Sequence, residues 1–192
     1  MLIDFRDIDA AVVAALRDAF SGVAGVTFEH GTIFDGTRAD AIVSPANSFG
    51  DMGGGIDLAY LRHFPHGLEE RLQDAIRADC FGELPVGQAL VVATADAAIP
   101  WMICAPTMRV PAAIAGTLNV YVAFRAALVA ARRHPAGIGS LLSPGMGTGV
   151  GAMPPQRAAR QMRAAWDAIV AGHWQRSRNA GAIWGEHLDL LR

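Results

Sequence analysis

Ala41-Ile42-Val43-Ser44-Pro45-Ala46-Asn47-Ser48-Phe49-Gly50-Asp51-Met52-Gly53-Gly54-Gly55-Ile56-Asp57 runs from an apolar β-branched segment through a Ser-Pro turn and a glycine-rich loop into a helical stretch. The same order returns downstream in Ser140-Leu141-Leu142-Ser143-Pro144-Gly145-Met146-Gly147-Thr148-Gly149-Val150-Gly151-Ala152-Met153. A buried strand that passes through a tight turn into a helix is the repeating unit of layered α/β sheets. In such sheets ligands bind beyond the carboxyl ends of the strands, which is where both loops must lie.

The segments on either side agree. Met1 to Phe5 reads as a strand, and Ile8, Val12, Val13, Leu16 and Phe20 recur at helical spacing over Ile8 to Phe20. Val26-Thr27-Phe28 is a second strand and Ala41-Ile42-Val43 a third. Asp57 to Phe64 and Gly67 to Cys80 form a helix pair broken at Phe64-Pro65. Ala89 to Thr94, Trp101 to Ala105 and Ile138 to Leu142 are apolar runs suited to buried strands. Gly116 to Arg133 and Gln156 to Ala171 are helices, the second following Pro154-Pro155. The prediction is an α/β fold with a mostly parallel sheet and helices on both faces. The tail from His173 to Arg192, with Trp174, Trp184 and Leu188 among polar residues, either packs on the surface or frays.

Composition narrows the chemistry. A chain of 192 residues with 52% hydrophobic content fits one domain spanning 1–192. By size scaling it should expose roughly 9,000 Å² when folded. All sixteen basic residues are arginine, so a P-loop lysine, a Schiff-base lysine and a lysine base are excluded. The net charge is −2, with the arginines dispersed, and nucleic acid is therefore not an expected partner. Cys80 and Cys104 form no C-x-x-C and read as reduced, buried thiols. The acidic start (Asp4, Asp7, Asp9) is unlike a signal peptide, and no long apolar run offers a membrane span. A soluble, cytoplasmic protein with no membrane partner is expected.

Glycines remove Cβ atoms and let backbone N–H groups approach an anion, and a helix start adds partial positive charge. Two such loops side by side could clasp one diphosphate. Taken singly, either could also be a plain tight turn. Neither fits G-x-G-x-x-G, and no G-x-S-x-G elbow is present, so Ser44 and Ser143 read as turn residues rather than nucleophiles. His63 and His66 lack further ligands and read as surface histidines; no metal and no cofactor are expected.

Ala41 to Asn47 with Gly53-Gly54-Gly55-Ile56-Asp57 resembles the macrodomain pattern D-A-I-V-N-A-A-N with its G-G-G-V-D loop. Gly147-Thr148-Gly149-Val150-Gly151-Ala152-Met153-Pro154 is similar to that family's S-T-G-V-Y-G-F-P loop, in the right order, and the resemblance runs from about Val26 to Ala171. It implies a three-layer α/β/α fold with a mixed, about six-stranded sheet that binds ADP-ribose. Members of the family either read ADP-ribosylated proteins or hydrolyse ADP-ribosyl esters, O-acetyl-ADP-ribose or ADP-ribose 1″-phosphate. By this resemblance Asn47 holds the distal ribose, and Gly53, Gly54, Gly55 and Ile56 wrap the diphosphate together with Thr148, Gly149, Val150 and Gly151. Asp57 matches the acidic residue that orients a water, and Thr32, Ile33, Ala46, Pro144, Gly145, Gly147 and Met153 complete the implied site.

Four positions depart from the pattern. The family's G-D-I is Gly31-Thr32-Ile33, so a threonine replaces the aspartate that receives the adenine amino group. Ser44 stands for a frequent asparagine, and Gly151 and Met153 replace aromatic residues, leaving Phe49 or Met153 to stack on base or ribose. The branch of the family that uses a catalytic lysine is excluded by composition.

Asn47 and Asp57 are the candidate catalytic pair. An ionised Asp57 among backbone donors would hold a water at the anomeric or ester carbon. The plain alternatives are a charge at a helix start for Asp57 and an Asx turn for Asn47. A hydrolase of ADP-ribose conjugates and a noncatalytic reader of ADP-ribose therefore both stay open, with a modified nucleotide or nucleic-acid end as a further ligand for the altered adenine end.

Overall fold

A computed structural model describes residues 1–192. Six strands form one sheet: β1 (Leu2–Asp7), β2 (Val26–His30), β3 (Ala41–Ser44), β4 (Leu90–Ala93), β5 (Trp101–Cys104) and β6 (Ser140–Ser143), in the order β2-β1-β6-β3-β5-β4. Every pairing is parallel except β4 with β5, so an antiparallel edge makes the sheet mixed. The helices are α1 (Ala10–Ala19), α2 (Gly55–His63), α3 (Leu68–Cys80), α4 (Asn119–Arg133), α5 (Pro155–Ile169) and α6 (Ala180–Leu191), with a single 3₁₀ turn at His173–Gln175.

Alternation along the strands sorts side chains between two cores. Ala41 and Val43 of β3 join Ile3, Phe5 and Leu141 in a core closed by α1, α4 and α5. Ile42, one residue out of phase, joins Met102, Cys104 and Leu142 in a second core closed by α2 and α3. The helices carry matching stripes: Val120, Phe124, Ala127 and Ala131 on α4, Ala158, Met162, Ala165 and Ile169 on α5, and Leu72 and Ile76 on α3. Three helices on one face and two on the other give the three-layer α/β/α arrangement. The folded chain exposes 9089 Å², close to what its size predicts.

Local signals set the element ends. Asp9 caps α1, its carboxylate accepting from the Ala11 N–H at 2.8 Å, so the helix begins after Ile8, which is left 80% exposed rather than in the core. Strand β1 runs two residues beyond the expected Phe5 and carries Asp7 to its end. Helix α4 starts at Asn119 instead of Gly116, because Ile114 to Leu118 is occupied by a turn in which the Ile114 carbonyl accepts from both the N–H and the hydroxyl of Thr117. The tail forms α6, capped by Asn179, with only Leu190 buried. It is tied to α5 by Gln161 Nε2, which donates to the Leu190 carbonyl at 3.0 Å. Cys104 is buried, whereas Cys80, at the end of α3, is only half-buried, which corrects the expectation of two buried thiols. No helix is long and apolar enough to cross a membrane.

Candidate functional site

Strands β3 and β6 are hydrogen-bonded neighbours, with Ile42 opposite Leu142, so their two glycine loops leave the sheet side by side. The carboxyl end of β1 lies beyond β6, and that of β2 beyond β1. A cavity of about 620 Å³ opens where these ends meet. Its walls include Thr32 and Ile33 after β2, Ala46 and Asn47 after β3, Gly54, Gly55, Ile56 and Asp57 at the start of α2, and Pro144, Gly145, Gly147, Thr148, Gly149, Val150 and Gly151 after β6. That volume suits a nucleotide-sized ligand.

Two of the expected residues are elsewhere. Met153 is 1% exposed and packs in the α1-α4-α5 core, because the Met153 N–H donates to the Gly147 carbonyl and folds the chain back under its own loop. Gly53 lies outside the cavity wall, its N–H bound to the Asp51 carboxylate at 2.9 Å. Phe49 also stands outside, half-covered by the Arg109 guanidinium 5.1 Å from its ring. No aromatic side chain therefore lines the cavity. His63 lies flat on Phe34 at 3.6 Å, as a surface stacking partner.

Several wall residues escaped the sequence reading: Arg6, Asp7, Ile8 and Asp9 at the end of β1, Asp51 in the first loop, and Thr107 and Met108 after β5. Asp7 is the most informative. Its Oδ2 accepts from the Gly145 N–H at 3.0 Å and its Oδ1 from the Asp9 N–H at 2.9 Å, so one carboxylate ties β1 to both the second glycine loop and the cap of α1. The alternation Ile3-Asp4-Phe5-Arg6 offered a signal as far as Arg6, and Asp7, polar in the phase of Ile3 and Phe5, broke it. Arg6, the cation in the wall, is held by Asp4 at 2.7 Å and by the Asp35 carbonyl at 2.9 Å.

The glycines divide by purpose. A Cβ on Gly145 would stand 2.3 Å from Val12 Cγ1, one on Gly147 2.6 Å from Val120 Cγ2, and one on Gly151 2.5 Å from the Gly147 carbonyl oxygen. These three are glycine because the loop packs tightly on its own core. Gly149 and Gly54 meet nothing within 4 Å, so their bare faces turn to open space. The amides of Thr148, Gly149 and Val150 in the second loop, and of Gly54, Gly55 and Ile56 at the start of α2, make no hydrogen bond within the protein. Unpaired donors at a helix start and in a glycine loop form a seat for an anion.

Asn47 is largely spent on its own loop. Its Oδ1 accepts from Phe49 N at 3.0 Å and Asp51 N at 3.4 Å, and its Nδ2 donates to the Asp51 carbonyl at 2.7 Å. This is the Asx-type turn, and it leaves one amide hydrogen for a ligand.

Asp57 sits in the first turn of α2 and is 7% exposed. Its partner is the Ser44 hydroxyl, which donates to Oδ1 at 2.7 Å, not the backbone donors expected from sequence. Burial pushes the carboxyl up to about 6; the Ser44 bond opposes this, and the Asp51 charge adds to it. At neutral pH the group is ionised but close to its midpoint, as a proton acceptor should be. One turn further along α2, the Tyr60 hydroxyl donates to the Val43 carbonyl at 2.9 Å and pins the helix to β3.

The model of the Macro domain family matches residues 43–162. The chain belongs to the macro domain family. An uncharacterized protein of Aquifex aeolicus is 40% identical over 124 residues, 65% of this macro domain and 70% of the relative. Among solved structures, the macrodomain of Mycobacterium tuberculosis DarG is similar at a TM-score of 0.63 and 22% identity, covering 74% of this chain and 90% of that one. Thermosipho africanus DarTG, solved in complex with ADP-ribose, is similar at a TM-score of 0.59 and 17% identity, covering 84% of this chain and 49% of that one. At these identities the structural likenesses speak to the fold, and the macro domain's own wall residues must carry the chemistry.

Proposed function

We propose that this macro domain binds ADP-ribose across the cavity and hydrolyses an ADP-ribose conjugate, with Asp57 as the group that activates water. The ADP-ribose of the similar Thermosipho africanus structure supports the choice of ligand. Support within the chain comes from the paired loops, whose free amides suit a diphosphate. The adenine end lies toward the ends of β1 and β2, where Thr32 and the carboxylates Asp7 and Asp9 line the wall.

The observation that carries the catalytic half is Asp57: nearly buried, in the cavity wall, with a proton affinity raised by burial. A water held there loses its proton to the carboxylate as its oxygen bonds to the anomeric or ester carbon. The bonding electrons of the broken C–O bond pass to the leaving oxygen, which departs from the anomeric carbon as a carboxylate or phosphate, or from the ester carbon as an alcohol that takes the proton back from Asp57.

Calorimetric titration with ADP-ribose, AMP and ribose 5-phosphate, followed by a turnover assay on mono-ADP-ribosylated glutamate protein, tests both halves. ADP-ribose should bind more tightly than either fragment, and ester should be consumed. Equal affinity for AMP and ADP-ribose would remove the two loops from the site. Tight binding with no turnover on the ester, O-acetyl-ADP-ribose or ADP-ribose 1″-phosphate would make the protein a reader.

A further inference from the structure

We propose that Ser44 is a positioning residue for this site, its hydroxyl holding one oxygen of Asp57 so that the other is presented to the cavity. The kinetic consequence rests on the hydrolase reading above, whereas the positioning itself rests on geometry alone. Strand alternation places Ser44 in phase with Ile42, on the face of β3 that α2 covers. Ser44 is fully buried at the last position of the strand, and its only side-chain bond is the one to Asp57 Oδ1 at 2.7 Å. Asp57 Oδ2 accepts no hydrogen bond from the protein, yet it is not among the buried polar atoms sealed away without a partner. In a residue that lines the cavity, that second oxygen is the one a bound water can reach.

A carboxylate on the first turn of a helix keeps two rotatable bonds. The Tyr60 bond to the Val43 carbonyl fixes α2 against β3, and the Ser44 bond at the next strand residue then fixes the Asp57 carboxylate plane. The groups that act electrically around this carboxylate are Asp51 in the first loop, Tyr60 on α2 and Cys104 at the end of β5, with Asp7 acting in turn on Tyr60. None is a cation, and Arg6 of the same wall is engaged by Asp4 and the Asp35 carbonyl. Among the side chains around it, the Ser44 hydroxyl is thus the one that favours the ionised carboxylate against burial and against Asp51.

The test compares wild type with Ser44→Ala, Ser44→Thr and Asp57→Asn. The Asp57 carboxyl is followed by ¹³C NMR of aspartate-labelled protein, assigned by its loss in Asp57→Asn, and single-turnover rates on an ADP-ribosyl ester are taken across pH. In Ser44→Ala the Asp57 titration and the acid limb of the rate profile should both move to higher pH. The rate at pH 6 should fall about tenfold, the loss of one hydrogen bond to a charged group, while ADP-ribose affinity is kept. Ser44→Thr, which retains the hydroxyl on a residue suited to a strand, should restore both. An Asp57 titration unchanged in Ser44→Ala, or a threonine variant that behaves like alanine, overturns the proposal. If no variant including wild type turns over ester, the hydrolase reading fails, and the NMR titration still decides the role of Ser44.

Discussion

Burying a carboxylate has a stability consequence at the residue scale. The folded Asp57 titrates near 6, above the ordinary value of 3.8, so the native state binds the proton more tightly than the unfolded chain does. Stability therefore falls as pH rises from about 4 to about 6, and the deficit above that window approaches about 3 kcal/mol. Asp57→Asn removes the cost, so at pH 7.5 the variant should be the more stable protein by up to that amount and at pH 4 nearly equal to wild type. Urea denaturation at the two pH values measures it, and equal stability at pH 7.5 would contradict the burial argument. Asp57 and Asn47 were both visible in sequence as residues beside glycine loops. The Ser44 bond was not, because it requires knowing that Ser44 faces α2, and the Asn47 side chain satisfied the turn-forming alternative.

Among elements, the loop between β6 and α5 separates glycines that pack on the core from one that faces open space. Gly145→Ala drives a methyl into Val12, a stiff and buried side chain of α1, and should cost about 1–3 kcal/mol with ADP-ribose affinity falling as α1 shifts. Gly149→Glu has open space, so its melting temperature should stay near wild type while its negative charge and bulk abolish ADP-ribose binding. Thermal denaturation run beside calorimetry distinguishes the two, and a folded Gly149→Glu protein that binds normally would detach this loop from the site. Sequence marked the loop as glycine-rich but could not divide its glycines by purpose, since the side chains that crowd a Cβ, Val12 at Gly145, Val120 at Gly147 and Ile114 at Gly147 and Gly151, are remote in the chain, and the Gly147 carbonyl meets a Cβ on Gly151 only through the fold of the loop. Met153 misled for the same reason: the backbone bond to Gly147 that turns it inward has no local signature. Asp7 carries no periodic signal, because it is polar in the phase of Ile3 and Phe5 and ends the alternation of β1.

For the whole molecule, strand and helix periodicity sufficed for the layered fold, while the antiparallel edge and the strand order followed from no local pattern. The tail was undecidable because α6 buries little beyond Leu190 and is held by the Gln161 and Arg157 side chains on backbone carbonyls of Leu190 and Arg192. Truncation after Arg176 should accordingly lower stability by only about 1–3 kcal/mol and leave ADP-ribose affinity unchanged, because no residue of α6 lines the cavity. A loss of binding in the folded truncated protein would place the tail in the site.

The proposed hydrolysis of an ADP-ribose conjugate in this cavity runs through Asp57. Single-turnover hydrolysis of an ADP-ribosyl ester by wild type and Asp57→Ala, with ADP-ribose affinity measured on the same preparations, tests it most directly. With ground-state contacts assigned to backbone amides and Asn47 in the proposed reading, binding should stay within a few fold while the rate drops about 10²–10⁴-fold. An Asp57→Ala protein that turns over ester as fast as wild type would remove Asp57 from the reaction.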